Sequence, residues 1–277
     1  MLEVLAVIAA FIVVSGFALT FWRQTDVRCD SKKWLQLANN PFPGNGVFDP
    51  KMVADAPEPA RRYFTYMIAS GARLYQTVSV EMRGELGLGT KKNPGYRPFT
   101  AAQMLAPPHG FVWRVKAGAI SGSDGAFMGQ SWTRFWLFGF FPIVRIANDA
   151  DHLRSAFGRL IAESVFWAPT SLLPGNHVQW EATGPDTARA IVDIGGFQQS
   201  VDIELAANGE PRSVSIQRWS NVNNEKTYRL QPFGGQLSEF RDFNGYRLPT
   251  RIEGGNHFGR EEYFPFFKAD ITEIRLT

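Results

Sequence analysis

The side chains best suited to acid–base chemistry lie on one stripe of a helix that the sequence predicts over residues 151–166. At about 100° per residue, His152, Arg159 and Glu163 share one face of this helix. His152 and Glu163 would be an acid and base pair, but about 16 Å of helix, at about 1.5 Å per residue, prevents their direct contact. Two structural alternatives remain. Arg159 and Glu163 form an ion pair on a solvent-facing stripe, or Glu163 lies under a sheet and bonds the backbone or Trp180.

An enzyme hypothesis combines Glu163 with Arg159, Asp124 and His257 in a hydrolase. The pattern around Asp124, "SGSDG" at residues 121–125, lacks the arrangement of a nucleophile elbow and predicts a turn. The four histidines are not spaced as metal ligands, and no loop has the pattern of a cofactor-binding motif. We therefore assign no catalytic residue, no metal ligand and no cofactor from the sequence.

Aromatic residues indicate an apolar cavity. The segment "FWLFGFFPIV" at residues 135–144 has no polar side chain, and Gly139 and Pro142 disfavour a helix there. It fits a strand buried on both faces, the wall or mouth of a pocket, or a loop that dips into lipid. The predicted helix over residues 151–166 adds a broad apolar face. The predicted cavity lining comprises Trp113, Phe135, Trp136, Phe138, Phe157, Leu160, Phe166 and Trp167, with Arg159, Glu163 and Trp180 as polar candidates.

The elements that must position these residues are mostly strands. Alternating apolar and polar residues predict about ten strands after residue 73. Asn-Gly pairs at Asn208 and Asn244 indicate hairpins, and successive hairpins imply antiparallel pairing. The predicted fold is α+β: a single, highly curved antiparallel sheet that forms an incomplete barrel, with helices on its concave face.

Residues 4–22 contain no charged side chain. As a helix at about 1.5 Å per residue they span about 29 Å, close to a bilayer core of about 30 Å. They predict a transmembrane helix and a single-pass membrane protein, with a cleaved signal peptide and a buried helix as alternatives. The predicted organisation is an anchor over residues 1–22, a tether over residues 23–55 and a curved-sheet domain over residues 56–277. Within the tether, the sequence allows a short helix and has turn chemistry at residues 41–46.

Composition bounds the function class. The 277 residues are 44% hydrophobic and 14% aromatic, which suits a large core or an apolar cavity. The net charge of +3 and the scattered basic residues exclude nucleic acid as a predicted partner. Cys29 is the single cysteine, so the sequence excludes an intramolecular disulfide.

Several segments, taken in order, resemble a bacterial family whose domain has no assigned function. They include "PEPARRYF", "GFVWRVKAG", "GRLIAESVFWAPTSLLP", "VDIELAANGEPRSV" and "PFGGQLSEFRDFNGYRLPTRIEGG". The strand-rich plan with a helix across it is also similar to the lipoprotein-carrier architecture of the bacterial envelope, an incomplete barrel with a helical lid over an apolar cavity. That resemblance implies a location outside the cytoplasm, whereas the basic residues after the apolar run favour the cytoplasm. The side of the membrane stays open.

Three functional hypotheses follow. The first is a membrane-anchored binding protein that shelters an apolar ligand, such as a lipid or an acyl chain, in a half-barrel cavity. The second is a membrane-tethered scaffold whose aromatic rim binds a membrane protein partner. The third is the hydrolase that uses Glu163.

Overall fold

One antiparallel sheet of thirteen strands forms most of the molecule. The computed structural model describes residues 1–39 and 46–277. The spatial order of the strands is β6-β5-β4-β3-β2-β1-β13-β12-β11-β10-β9-β8-β7, so the sheet is open and β6 and β7 are its edges. This arrangement confirms the predicted single antiparallel sheet and increases its strand number from about ten to thirteen.

The chain follows the sheet almost strand by strand. Its strands are β1 (Val78–Gly87), β2 (Tyr96–Ala106), β3 (Gly110–Ala117), β4 (Ile120–Phe127), β5 (Gln130–Leu137), β6 (Phe141–Ala147), β7 (Val178–Gly184), β8 (Thr187–Ile194), β9 (Phe197–Leu205), β10 (Pro211–Ser220), β11 (Arg229–Phe243), β12 (Tyr246–Asn256) and β13 (Phe264–Leu276). Its helices are α1 (Leu2–Ala38), α2 (Glu58–Met67) and α3 (Ala150–Trp167), with short 3₁₀ turns at Pro50–Val53 and Pro169–Leu172.

The predicted turn at residues 121–125 is wrong, because this segment is part of strand β4. The strand pairs on both sides, with β3 and with β5. Its small residues are needed there: a Cβ on Gly125 would lie 2.5 Å from the Trp132 ring, and one on Gly122 would lie 2.7 Å from the Phe135 ring. Glycine and serine therefore mark close packing under large rings in this segment and not a chain reversal.

The two Asn-Gly pairs form the hairpins that the sequence predicts. Asn208 and Gly209 connect β9 with β10, and Asn244 and Gly245 connect β11 with β12. Asn244 and Gly245 have φ values of 50° and 87°. Both residues need positive φ in the turn that matches the twist of the strands, which asparagine and glycine adopt most easily.

The concave face of the sheet holds α2 and α3 and most of the core. Strands β3, β4 and β5 near one edge and β9, β10 and β12 near the other all contact α3, so the sheet curls around this helix. The Tyr63 hydroxyl of α2 donates to the Val165 carbonyl of α3 at 2.7 Å. Fully buried side chains such as Phe64, Phe111 and Trp167 fill the space between the layers.

The helix α1 extends far beyond the apolar run. It continues without a break from Leu2 to Ala38, so residues 23–38, which the sequence assigned to a tether, are helical. No residue of its most apolar stretch is buried, and the helix is long and apolar enough to cross a membrane. The turn predicted at residues 41–46 lies outside the described residues, apart from Gly46.

The second half of α1 packs on the convex face of the sheet. Leu37 clusters with Val112 and Trp132, whereas the neighbouring Phe111 faces the concave core. The carboxylate of Asp26 accepts two hydrogen bonds from Arg145, at 2.6 and 3.0 Å. The polar face of the second half of α1 is therefore buried against the sheet, where its carboxylates form ion pairs with strands that are distant in the sequence.

Candidate functional site

A cavity of about 530 Å³ lies between α3 and the concave face of the sheet. Most of its lining is apolar and comes from strands β1, β3, β5 and β10 to β13 as well as from α3. The principal apolar residues are Leu86, Trp113, Phe135, Phe166, Trp167, Ile216, Phe233, Leu237, Ile252, Phe266 and Phe267. Its volume falls within the range of about 300–1,000 Å³ that is typical of small-molecule pockets.

Four of the predicted lining residues lie at this cavity: Trp113, Phe135, Phe166 and Trp167. Trp113 is also part of an aromatic cluster, with its ring centroid 6.4 Å from that of Phe99 and 6.4 Å from that of Phe267. The structure thus brings β3, β5 and the end of α3 together around one hollow, as the aromatic segments indicate.

Two other predicted residues face solvent or the convex side. Trp136 alternates with Phe135 along β5, so it lies on the opposite face, where its indole donates to Asp26 at 3.2 Å. Phe138 occupies the turn after β5 with φ of 52° and is 75% exposed. Because every side chain in residues 135–144 is apolar, the sequence does not show which residues of the strand face the cavity and which face α1. This explains why Trp136 and Phe138 were predicted to line the cavity.

Phe157 and Leu160 pack in the core instead of lining the cavity. The ring of Phe157 lies 5.6 Å from that of Phe197, between centroids, and Leu160 is 2% exposed. The polar candidate Trp180 is also a core residue: its indole donates to the Leu172 carbonyl at 2.9 Å, so it does not bond Glu163.

The predicted polar stripe of α3 faces the cavity and not solvent. Arg159 and Glu163 have side chains that are only 16% and 15% exposed. Arg159 uses all three nitrogens: Nε donates to Glu163 Oε1 at 2.7 Å, Nη1 to Asp124 Oδ2 at 2.7 Å, and Nη2 to Gln103 Oε1 at 3.1 Å. Gln103 Nε2 in turn donates to Glu163 Oε2. One arginine thus neutralises two carboxylates.

His152 joins the same cluster through Thr133. The Thr133 hydroxyl donates to Asp124 at 2.5 Å, so it accepts from His152 Nε2 at 2.8 Å, and Ser131 lies 2.8 Å from Nδ1. His152 Nε2 and Asp124 Oδ1 are 3.7 Å apart, beyond hydrogen-bond range. The stripe residues His152 and Glu163 are therefore linked indirectly, by Asp124 and Arg159.

The pKa of Asp124 is lowered from 3.8 to about 2. Burial alone would raise it, but the neighbouring His152, the charge of Arg159 and the Thr133 hydroxyl together outweigh burial. Asp124 is therefore ionised near neutral pH, whereas a general acid needs a raised pKa. His257, the remaining member of the hydrolase hypothesis, lies in the loop between β12 and β13 and does not line the cavity.

Arg218 of β10 is the second cation of the cavity, and the sequence reading missed it. Its Nε donates to Ser155 at 3.1 Å and its guanidinium lies 4.8 Å from the Phe233 ring centroid. No carboxylate of the described residues lies within ion-pair distance of it. Burial lowers the pKa of Arg218, and the charge of Arg159 adds to this effect. The signal was present: in β10, Arg218 follows Val214 and Ile216 at every second position, on the inward face.

Two solved structures resemble this fold at low identity. A LolA superfamily protein from Nitrosomonas europaea is 13% identical, with 80% of this chain and 93% of that chain covered and a TM-score of 0.41. A putative outer membrane lipoprotein-sorting protein domain from Vibrio parahaemolyticus is 9% identical, with 82% and 93% covered and a TM-score of 0.40.

Family comparison covers most of the chain. No curated protein matches the sequence. A family of unknown function, DUF6544, matches residues 46–269, a range that includes α2, α3 and nearly the whole sheet. The chain therefore belongs to this family of unknown function, DUF6544.

Proposed function

We propose that the chain is a membrane-anchored binding protein that holds an apolar ligand, such as a lipid or an acyl chain, in the cavity under α3. The observation that carries the proposal is the cavity of about 530 Å³ with a mainly aromatic and aliphatic lining. Water in such a space has few polar partners. Transfer of an apolar ligand from bulk water into the cavity therefore lowers the free energy.

The polar groups of the cavity support a ligand with one polar end. Asp124 and Glu163 are both engaged by Arg159, so they offer little to a ligand. Among the residues that the structure describes, Arg218 forms one hydrogen bond, through Nε, and its Nη groups are available to bind an acceptor. A carboxylate or phosphate at the end of an acyl chain would bind there without displacing an ion pair.

The membrane anchor in this proposal is the apolar part of α1. No residue of its most apolar stretch is buried in the rest of the chain. An exposed apolar surface of this length needs a partner, and a bilayer is the partner that its length matches.

The test is ligand binding by a chain whose cavity is filled. Ala162 lines the cavity on α3, so Ala162→Phe should occupy the space of the ligand. The control is Ala150→Phe, the same change at an exposed position of the same helix. Displacement of cis-parinaric acid by palmitate should be lost in Ala162→Phe and kept in Ala150→Phe, with similar thermal unfolding. Equal binding by both variants would contradict the proposed site.

A further inference from the structure

The turn between β5 and β6 places exposed aromatic side chains beside the apolar part of α1. Phe138 is 75% exposed and Phe141 is 53% exposed. The intervening Phe140 has a ring atom 3.6 Å from the position that a Cβ on Gly16 would occupy. Gly16 lies inside the uncharged run of residues 4–22, so the tip of this hairpin contacts the segment that is long enough to cross a bilayer.

Polar and aromatic contacts fix the hairpin against α1. Arg23 Nη1 donates to the Gly139 carbonyl at 2.6 Å, and Nη2 donates to the Ser121 hydroxyl at 3.3 Å. The ring centroids of Trp22 and Trp136 are 5.8 Å apart. The hairpin tip therefore keeps a constant position along the helix axis, next to the end of the apolar run.

Other exposed apolar residues lie on the same side of the molecule. The antiparallel order places the end of β5, the end of β1, the end of β10 and the start of β11 on one rim of the half-barrel. Most of the exposed large apolar side chains outside α1, among the described residues, lie on this rim: Phe138, Phe141, Ile143, Leu88, Val222 and Leu230. Val222 also lines the cavity, as does Leu86, which lies near the end of β1. The cavity therefore reaches this rim.

We propose that this rim contacts the lipid bilayer and that the β5–β6 hairpin tip, residues 137–141, inserts into it. Gly16 precedes Trp22 by about 9 Å of helix, at about 1.5 Å per residue. If residues 4–22 span the bilayer core, Phe140 lies below the boundary that Trp22 marks, and Phe138 and Phe141 lie close to it. Aromatic rings favour this interface.

The backbone of the hairpin tip is suited to lipid. The Phe138 N–H donates to the Ala119 carbonyl at 2.7 Å and the Phe140 N–H donates to the Leu137 carbonyl at 3.0 Å. The Gly139 carbonyl accepts from Arg23. Because unpaired peptide groups are costly in a bilayer, these bonds lower the penalty for insertion.

The test measures the depth of single labels in the full chain. In a Cys29→Ser background, Phe138→Cys, Met128→Cys and Phe11→Cys are labelled with the fluorophore NBD and reconstituted into phosphatidylcholine vesicles that contain doxyl-labelled lipid. Met128 is a matched control, because it is 66% exposed, has φ of 46° and precedes a glycine in the turn at the opposite end of β5. Phe11 marks the middle of the apolar run.

The label at position 138 should be quenched by doxyl lipid and protected from aqueous iodide by several fold relative to position 128. Position 128 should show the reverse, and position 11 should be quenched most strongly by lipid. Similar iodide quenching at positions 138 and 128 overturns the proposal. Absence of lipid quenching at position 11 overturns it as well, because α1 then does not enter the bilayer. Neither result depends on a ligand in the cavity, so the proposed binding function is tested separately.

Discussion

Asp26 and Arg145 form a bidentate ion pair, with Nη1 to Oδ2 at 2.6 Å and Nη2 to Oδ1 at 3.0 Å, that joins α1 to the edge strand β6. Arg134 lies 3.7 Å from the same carboxylate, and the Trp136 indole also donates to it. A single buried carboxylate of the helix thus accepts hydrogen bonds from Arg145 and Trp136 and forms an ion pair with Arg134.

We expect Asp26→Ala to detach the second half of α1 from the sheet. The change leaves Arg145 and Arg134 without their shared carboxylate, which should lower the free energy of unfolding by about 3 kcal/mol. Asp202→Ala is the control, because Arg189 and Asp202 also form a bidentate ion pair, through Nε and Nη2, with side chains that are 39% and 42% exposed. That variant should lose at most about 1 kcal/mol. Hydrogen exchange of residues 23–38 should accelerate only in Asp26→Ala.

The two arginines of the cavity should differ in their effect on stability. Arg159→Met leaves Asp124 and Glu163 buried without a counter-charge, so the free energy of unfolding should fall by about 3–5 kcal/mol. Arg218→Met removes a half-buried cation without an ion pair, and the change should stay within about 1 kcal/mol. Thermal unfolding of the detergent-solubilised chain measures both. Equal losses would mean that Arg218 balances the carboxylates as much as Arg159 does.

Stability should depend on pH through Asp124. Because its pKa in the folded chain is about 2, below the ordinary value of 3.8, ionised Asp124 stabilises the fold above about pH 4. This contribution, about 2 kcal/mol, is lost as the pH falls through 2. Urea unfolding between pH 5 and pH 2 should show a slope that Asp124→Asn reduces. The control is Asp202→Asn, a change at an exposed side chain. It should leave the pH dependence of the free energy of unfolding that Asp124 causes unchanged.

Arg218 should discriminate between ligands that differ only in their polar end. Palmitate has a carboxylate that can bind the free Nη groups, whereas 1-hexadecanol has a neutral hydroxyl. Arg218→Met should weaken palmitate binding about tenfold or more, since a charge-assisted hydrogen bond is lost. Its affinity for 1-hexadecanol should change little. A parallel loss for both ligands would assign Arg218 a structural role in the cavity.

Patterns with a clear period predicted much of the fold. The stripe on α3, the alternation in β3 and β10, and the Asn-Gly hairpins each follow from local geometry. The helical periodicity does not determine whether the polar stripe of α3 faces solvent or the sheet. Arg159 lies inward because Asp124 and Gln103, on strands far away in the chain, provide its partners.

The differences between sequence and structure have the same origin. The sequence of strand β4 predicts a turn because it contains Gly122 and Gly125, which are needed there to leave room for neighbouring aromatic rings. The sequence indicates only a possible short helix in residues 23–38, because the partners of Asp26 and Asp30, Arg134 and Arg145, lie on distant strands. Arg218 was not predicted because a single charged residue at the end of an apolar strand face belongs to no sequence motif. Each depends on a partner more than 50 positions away or on a space that only the folded chain defines.

The unbroken course of α1 has a mechanical consequence. No hinge separates the apolar run from the docked residues of the same helix, so the sheet cannot move independently of the apolar run as a domain on a flexible linker would. The continuous helix α1 fixes both the distance and the orientation of the sheet relative to the apolar run. In the proposed membrane-anchored protein, a ligand must therefore reach a cavity that stays in one place, either laterally through the bilayer or on another mobile protein.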